Sequence, residues 1–181
     1  MKNFQQIAAN VDVMPLLHAI QRKPHLWNAN TIRTRYPQSP HHAAEDIILR
    51  FNDIPDDDIT KVVNDKECLN YPALAELPQA RPILFDLMRR VEGEQLGRVV
   101  ITKLMPGKTI ALHRDEGAPA EYYERYHVML QNYPGSNFTC GDETVFMRSG
   151  DVWWFDNCKE HSVVNNGSDA RITMIVDIRP C

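Results

Sequence analysis

The chain has 181 residues, enough to bury a substantial core, and 43% hydrophobic with 24% charged residues is ordinary for a globular protein. Its formal net charge of −4 argues against a general electrostatic grip on nucleic acid, so a nucleic-acid partner is not expected. The first twenty residues are too polar for a secretory signal, and no apolar run approaches a membrane span. The four cysteines lack CxxC pairs or a regular framework, which is typical of reduced thiols. We therefore predict a cytoplasmic protein with no membrane partner.

The N-terminal region, residues 1–95, mixes helix and strand patterns. Apolar residues at helical spacing predict one helix over Asp12–Gln21 and a second over Arg81–Glu92, which Gly93 is expected to end. Between them, Glu45–Phe51 has the composition of a strand. We expect this mixed α/β region to pack against a β-structure formed by the rest of the chain.

Two charged segments of the same region have several interpretations. Arg33 and Arg35 alternate with Ile32 and Thr34, a pattern that fits either a basic strand edge or an ordinary charged outer face. Asp56–Asp58 is interpreted as a solvated acidic turn, because its spacing is wrong for a calcium-binding loop.

From residue 96 onward, short β segments alternate with turn signals such as Pro-Gly and Asn-Gly. The predicted strands are Gly97–Leu104, Thr109–Arg114, Arg125–Asn132, Asn137–Cys140, Glu143–Met147, Val152–Phe155, His161–Asn165 and Arg171–Ile178. Regular spacing of this kind indicates a sandwich or barrel rather than βαβ units. We predict a single domain, mainly β with flanking helices, in which residues 96–181 form a double-stranded β-helix, or cupin-like jelly roll.

His113, Asp115 and His161 are candidate metal ligands. Two histidines and one carboxylate form a facial triad that holds a redox-active divalent metal and leaves coordination positions free. His113 and Asp115 are two residues apart, so on a strand they point to the same face. A His-x-Asp pair alone arises often by chance, as a surface histidine near an unrelated aspartate. The other four histidines are treated as background: His18, His25, His41 and His42.

Arg171 indicates what else the site binds. It begins an otherwise apolar strand ten residues after His161, and a cation pointing inward from such a strand needs a partner. A bound dicarboxylate would satisfy it through a bidentate pair, whereas the alternative is a surface ion pair at the rim. Arg125 and His127 share a strand face and could bind a second carboxylate, from a cosubstrate or a substrate.

With these residues in place, the sequence from about Leu104 to Pro180 resembles the aspartyl/asparaginyl β-hydroxylase family of Fe(II)- and 2-oxoglutarate-dependent dioxygenases. The matching segments, in order, are Pro106-Gly107 leading to His113, Arg125–Leu130, Gly150–Val152 with Phe155-Asp156, Glu160–Val163, and Arg171–Asp177. Their order and spacing are much more specific than the His-x-Asp pair alone.

The resemblance implies that His113 and His161 bind iron and that Arg171 binds the distal carboxylate of 2-oxoglutarate. His127 would help to hold this cosubstrate, and Arg125 would contact a carboxylate of cosubstrate or substrate. It also implies a reaction that consumes O₂ and 2-oxoglutarate, releases succinate and CO₂, and hydroxylates an unactivated C–H bond. The animal enzymes that give the family its name have glycine at the position of Asp115, so this chain departs from them by supplying the third ligand.

The substrate is less constrained. A residue in a peptide or protein is the first expectation, and a free amino acid or small metabolite is the second, favoured by the complete triad. Tyr122 and Tyr123 follow the metal strand and are candidate substrate contacts, although they could equally pack on the mouth of the barrel. A metal-binding cupin-type protein, acting as a sensor or as an enzyme independent of 2-oxoglutarate, is the alternative function.

Overall fold

Two antiparallel β-sheets form the frame of the computed structural model, which describes residues 1–35, 39–54 and 60–181. The helices are α1 (Met14–Gln21), α2 (Ile32–Arg35), α3 (Thr60–Asn64), α4 (Pro72–Glu76), α5 (Ala80–Arg90) and α6 (Ala118–Tyr122), with a 3₁₀ turn at Pro24–Leu26. The strands are β1 (Phe4–Ala8), β2 (Ala44–Phe51), β3 (Leu69–Asn70), β4 (Gly93–Leu104), β5 (Lys108–His113), β6 (Glu124–Gln131), β7 (Ser136–Cys140), β8 (Glu143–Val145), β9 (Val152–Phe155), β10 (His161–Asn165) and β11 (Arg171–Pro180). The predicted acidic turn at Asp56–Asp58 lies outside the described residues.

The predicted jelly roll is confirmed. The larger sheet has the strand order β1-β9-β6-β11-β4-β2-β3, and the smaller has the order β5-β10-β7-β8. A core of apolar side chains from both sheets lies between them, and it includes Phe4, Leu104, Met129, Phe138 and Val163. This core excludes water from the interior of the roll. A polar group placed there lies in an apolar environment, where its interactions with charges and hydrogen-bond partners are stronger than in water.

A second core lies on the outer face of the larger sheet, where helices α1, α4 and α5 pack. The predicted helices are confirmed, because α1 buries Leu16, Leu17 and Ile20 and α5 buries Leu84 and Leu87. Each such side chain contributes about 1.5–3 kcal/mol when it is fully removed from water. The helices therefore act as a brace behind the sheet that carries β6 and β11.

Gly93 does not have the helix-capping role predicted for it. Helix α5 ends at Arg90, Glu92 adopts the left-handed conformation with φ of 53°, and Gly93 already begins β4. A Cβ atom at Gly93 would lie 2.7 Å from Ile178 and 2.8 Å from the Met88 sulfur, so glycine is needed for close approach.

The N-terminal region adds strands that the sequence pattern only partly predicts. The strand at Glu45–Phe51 is confirmed as β2, whereas β1 was not predicted and pairs with β9 at the far edge. The segment with Arg33 and Arg35 is a short helix, α2, rather than a strand edge, since it closes a helical turn after Thr31. Within the described ranges, no helix combines the length and apolarity needed to cross a bilayer.

Candidate metal centre and its cavities

The three predicted ligands meet where β5 and β10 lie side by side. His113 and His161 occupy directly opposed positions of these two strands. One ligand atom from each of His113, Asp115 and His161 lies within 4.8 Å of the others. Asp115 lies beyond the end of β5, where its N–H donates to the Asn157 carbonyl at 3.2 Å, so a loop contact rather than strand alternation places this carboxylate.

Both imidazoles are oriented by their own backbone. The Nδ1 atom of His113 donates to the Ala111 carbonyl at 2.7 Å, and that of His161 donates to the Lys159 carbonyl at 2.8 Å. This arrangement fixes the proton on Nδ1 and leaves each Nε2 lone pair free for a metal. Burial lowers the pKa of His113 and lowers the pKa of His161 to about 4. The two rings are therefore neutral at neutral pH, which is the form that binds a cation.

Asp115 is held ionised by a buried arginine. Burial alone would raise the pKa of Asp115, but the Arg125 guanidinium holds it below its ordinary value. Arg125 donates through Nη1 to Asp115 at 2.5 Å and through Nε and Nη2 to Asp177 at 2.7 and 2.8 Å. The predicted contact between Arg125 and a cosubstrate or substrate stays a prediction, since in this arrangement the guanidinium bridges two carboxylates.

A small inner cavity of about 30 Å³ is lined by the triad and by Arg171. This side chain is 3% exposed, its Nη2 lies 3.7 Å from the Met129 sulfur, and its guanidinium lies 6.0 Å from the Phe138 ring centre. Burial lowers its pKa to about 10, and none of the described carboxylates forms an ion pair with it. Burying a guanidinium without an anion costs free energy, so the binding of an anion beside Arg171 would stabilise the folded protein.

His127 presents a second unsatisfied group in the same inner cavity. Its ring stacks on Phe138 with centres 5.1 Å apart, and its Nδ1 has no hydrogen-bond partner among the described residues. Burial holds the pKa of His127 well below its usual value, so the ring is neutral. A ligand with oxygen atoms at this depth would fit both His127 and Arg171.

An outer cavity of about 680 Å³ opens over the triad, and it contains residues that sequence reasoning missed. His41, treated as background, lies edge-on to His113 with ring centres 5.0 Å apart. Arg98 lines the outer cavity from β4. No local pattern identifies His41 and Arg98, because tertiary folding alone brings them to the triad. Arg33, for which the sequence pattern suggested a basic edge near the mouth of the site or a charged outer face, donates to Asp46 at 2.7 Å and lines both cavities.

The two tyrosines proposed as substrate contacts lie elsewhere. Tyr123 is buried against Gly97 and donates to the Lys66 carbonyl at 3.0 Å. The Tyr122 ring lies between Lys66 and Arg179, whose cationic groups are 3.7 and 4.3 Å from its centre. Neither tyrosine is among the described residues that line the two cavities, so a substrate role for them stays a prediction without support from this arrangement.

Taken together, the donor set fits a divalent metal of the Fe(II) type. Two neutral imidazoles and one ionised carboxylate leave three positions of an octahedral ion open, and the inner cavity offers a cation at its far end. The residues could therefore hold a metal ion, and Arg171 could pair with an anion, although the inner cavity, at about 30 Å³, would have to widen to admit a whole diacid.

The chain is similar to known proteins in sequence and in fold. The chain is 29% identical over 101 residues to L-proline cis-3-hydroxylase 1 from Streptomyces sp, a match that covers 54% of this chain and 34% of that protein's length. It is similar in fold to an oxidoreductase of the 2OG-Fe(II) oxygenase family from Burkholderia pseudomallei, with a TM-score of 0.56, 16% identity, and coverage of 90% of this chain and 78% of the other. A Pseudomonas putida prolyl-4-hydroxylase gives a TM-score of 0.55 with 14% identity, over 100% of this chain and 94% of the other.

The family model described as aspartyl/asparaginyl beta-hydroxylase matches residues 60–180, which include the triad, Arg125, His127 and Arg171. This match covers well over half of the sequence. The chain therefore belongs to the aspartyl/asparaginyl beta-hydroxylase family.

Proposed function

We propose that this protein is an Fe(II)- and 2-oxoglutarate-dependent dioxygenase that hydroxylates an unactivated C–H bond of an amino acid, either free or as a residue of a peptide or protein. The observation that carries the proposal is Arg171, a buried cation without a described carboxylate partner in the cavity that the triad also lines. The similarity to L-proline cis-3-hydroxylase 1 supports an amino-acid substrate. We also place the protein in the cytoplasm, where a reducing environment would keep iron ferrous.

The protein's own residues have separate tasks in this proposal. His113, Asp115 and His161 would hold Fe(II), while Arg171 would bind the distal carboxylate of 2-oxoglutarate and His127 would lie beside it. Bound Fe(II) and 2-oxoglutarate would supply the activation of O₂, with release of succinate and CO₂. The apolar walls formed by Phe138, Phe155 and Ile175 would exclude water from the reacting groups.

Anaerobic titration tests the cosubstrate. Fe(II)-loaded protein is titrated with 2-oxoglutarate while the weak visible charge-transfer band of the chelate is recorded. The band should appear in the wild type, and Arg171→Ala should raise the apparent Kd by about tenfold or more, because a charge-assisted pair contributes about 1.5–3 kcal/mol.

Arg179→Ala is the matched control, since Arg179 lies on the same strand but outside both cavities and should leave the titration unchanged. If correctly folded, iron-loaded wild type gives no band, the cupin-type alternative replaces the oxygenase proposal. If the band forms equally well in Arg171→Ala, the arginine is structural and the cosubstrate binds elsewhere.

A further inference from the structure

The arginines that line the two cavities differ in whether a carboxylate of the protein pairs with them. Among the described lining residues, five are arginines: Arg33, Arg98, Arg114, Arg125 and Arg171. Three have carboxylate partners, namely Asp46 for Arg33, Glu116 for Arg114, and the pair Asp115 and Asp177 for Arg125. Arg171 is assigned to the cosubstrate, which leaves Arg98 as the lining arginine that has no carboxylate within ion-pair distance among the described residues.

The contacts of Arg98 hold it in place without neutralising it. Its Nε donates to the Asn52 side chain at 2.8 Å, its Nη2 donates to the Val62 carbonyl, and its guanidinium lies 4.4 Å from the centre of the Phe51 ring. These partners are neutral. Burial lowers the pKa of Arg98 to about 10, and the attraction of Asp177 offsets this only in part. The guanidinium is thus preorganised, partly desolvated and still able to pair with an anion.

The position of Arg98 separates it from the cosubstrate site. Arg98, Val100 and Thr102 alternate along β4 and face the cavities, with Thr102 in the inner cavity and Val100 and Arg98 in the outer one. Arg171 is paired with Leu104, six residues along β4 from Arg98, which corresponds to roughly 20 Å of strand. The two arginines also line different cavities, Arg171 the inner one and Arg98 the outer one, so we expect a diacid bound to Arg171 to leave Arg98 available. Arg98 is therefore placed to pair with a second anion in the outer cavity.

We propose that Arg98 binds a carboxylate of the substrate, so that the enzyme acts on a molecule that presents a free carboxylate in the outer cavity. This inference rests on the proposed function. Two sources of the group are chemically equivalent at Arg98: the α-carboxylate of a free amino acid and the side chain of an acidic residue in a peptide. Val100 and Ile175, which line the cavity between the two cations, would contact the apolar part of the substrate.

The test measures binding rather than turnover. Protein loaded with redox-inert Zn(II) and 2-oxoglutarate is examined by ligand-observed NMR with each of the twenty proteinogenic amino acids and with their carboxamides. A second set of probes consists of N-acetylated, C-amidated peptides centred on Asp or Glu, compared with the Asn and Gln counterparts. At least one carboxylate probe should bind, and its amide should bind about tenfold or more weakly, because the amide removes a charge-assisted pair.

Arg98→Gln should reduce binding of the carboxylate probe by a similar factor and leave the amide unaffected. Arg98→Lys, which keeps the charge, should recover part of the affinity and serves if Arg98→Gln does not fold. Arg50→Gln is the control, because Arg50 also donates to neutral acceptors on the neighbouring strand but lies outside both cavities.

The outcomes separate this inference from the proposed function. Acids preferred over amides among the free amino acids identify the α-carboxylate, and Asp or Glu peptides preferred over Asn or Gln peptides identify the side chain. Equal binding of acid and amide, unchanged binding in Arg98→Gln, or no binding by any carboxylate probe overturns the role of Arg98. The charge-transfer titration with 2-oxoglutarate is run on the wild type and on Arg98→Gln. No band in the wild type counts against the oxygenase assignment, whereas loss of the band in Arg98→Gln alone would place Arg98 in the cosubstrate site and overturn its role in substrate binding.

Discussion

At the scale of single residues, the notable contact is the chain of charges that leads away from the metal site. Arg125 connects the ligand Asp115 to Asp177, which is almost fully buried and had no role predicted from the sequence. With Asp177 present, the guanidinium has two carboxylates to share its charge. Without it, Arg125 would interact with Asp115 alone and compete with the metal for that carboxylate. We therefore expect Asp177 to act as a positioning residue for the candidate metal ligand Asp115.

Asp177→Asn should weaken metal binding by about 10- to 100-fold, the usual effect of losing a group that orients a ligand, while His161→Ala should abolish it. Titration with Co(II), followed by its visible absorption, measures the affinity directly. Glu94→Gln is a control, because Glu94 is an exposed carboxylate on the neighbouring strand β4. Unchanged Co(II) affinity in Asp177→Asn, with the fold intact by circular dichroism, would show that Asp115 needs no support from this chain of charges.

At the scale of elements, the sequence predicts the strands and helices that periodicity and turn residues mark locally. It does not predict the elements whose formation depends on tertiary contacts. The eight C-terminal strands were predicted within a few residues because alternation and Pro-Gly or Asn-Gly turns mark them locally. The short helices α2, α3, α4 and α6 have four or five residues and no stable local signal. The same division applies to the site. The triad and Arg171 were identifiable from spacing, whereas Arg98 and His41 enter the cavity from segments distant in sequence.

Helix α5 gives an element-scale prediction, since its two faces have opposite environments. Leu87 is 2% exposed in the outer core, while Phe85, two residues earlier, is 72% exposed. Leu87→Ala should lower the free energy of unfolding by about 2–5 kcal/mol through lost burial and the cavity left behind. Phe85→Ala should change it by less than about 0.5 kcal/mol. Urea unfolding of both variants measures this, and a similar cost for the two would mean that α5 does not brace the sheet as described.

At the scale of the whole molecule, the net charge of the chain is negative, whereas the arginines that line the two cavities are positive. The chain carries a formal charge of −4, yet buried arginines and four histidines gather around the two cavities between the sheets. Burial lowers the pKa of each of these histidines, His41, His113, His127 and His161, so that they remain neutral when the protein is folded. The histidines of the interior therefore resist taking up protons, and their neutral rings remain available to a metal.

This arrangement links stability to pH. In the unfolded chain a histidine binds a proton below about pH 6.5, whereas folded His127 stays neutral because its pKa is held well below that value. The unfolded state then binds more protons, so the free energy of unfolding should fall as the pH falls below 6.5.

His127→Phe, which keeps a ring against Phe138, tests this dependence. The substitution should reduce the loss of unfolding free energy between pH 7 and pH 5 by about 2 kcal/mol. Urea unfolding of the metal-free protein with EDTA measures it, and exposed His42→Gln should leave the pH dependence unchanged. Parallel stability curves for wild type and His127→Phe would mean that His127 takes up a proton in the folded state, contrary to what its burial predicts.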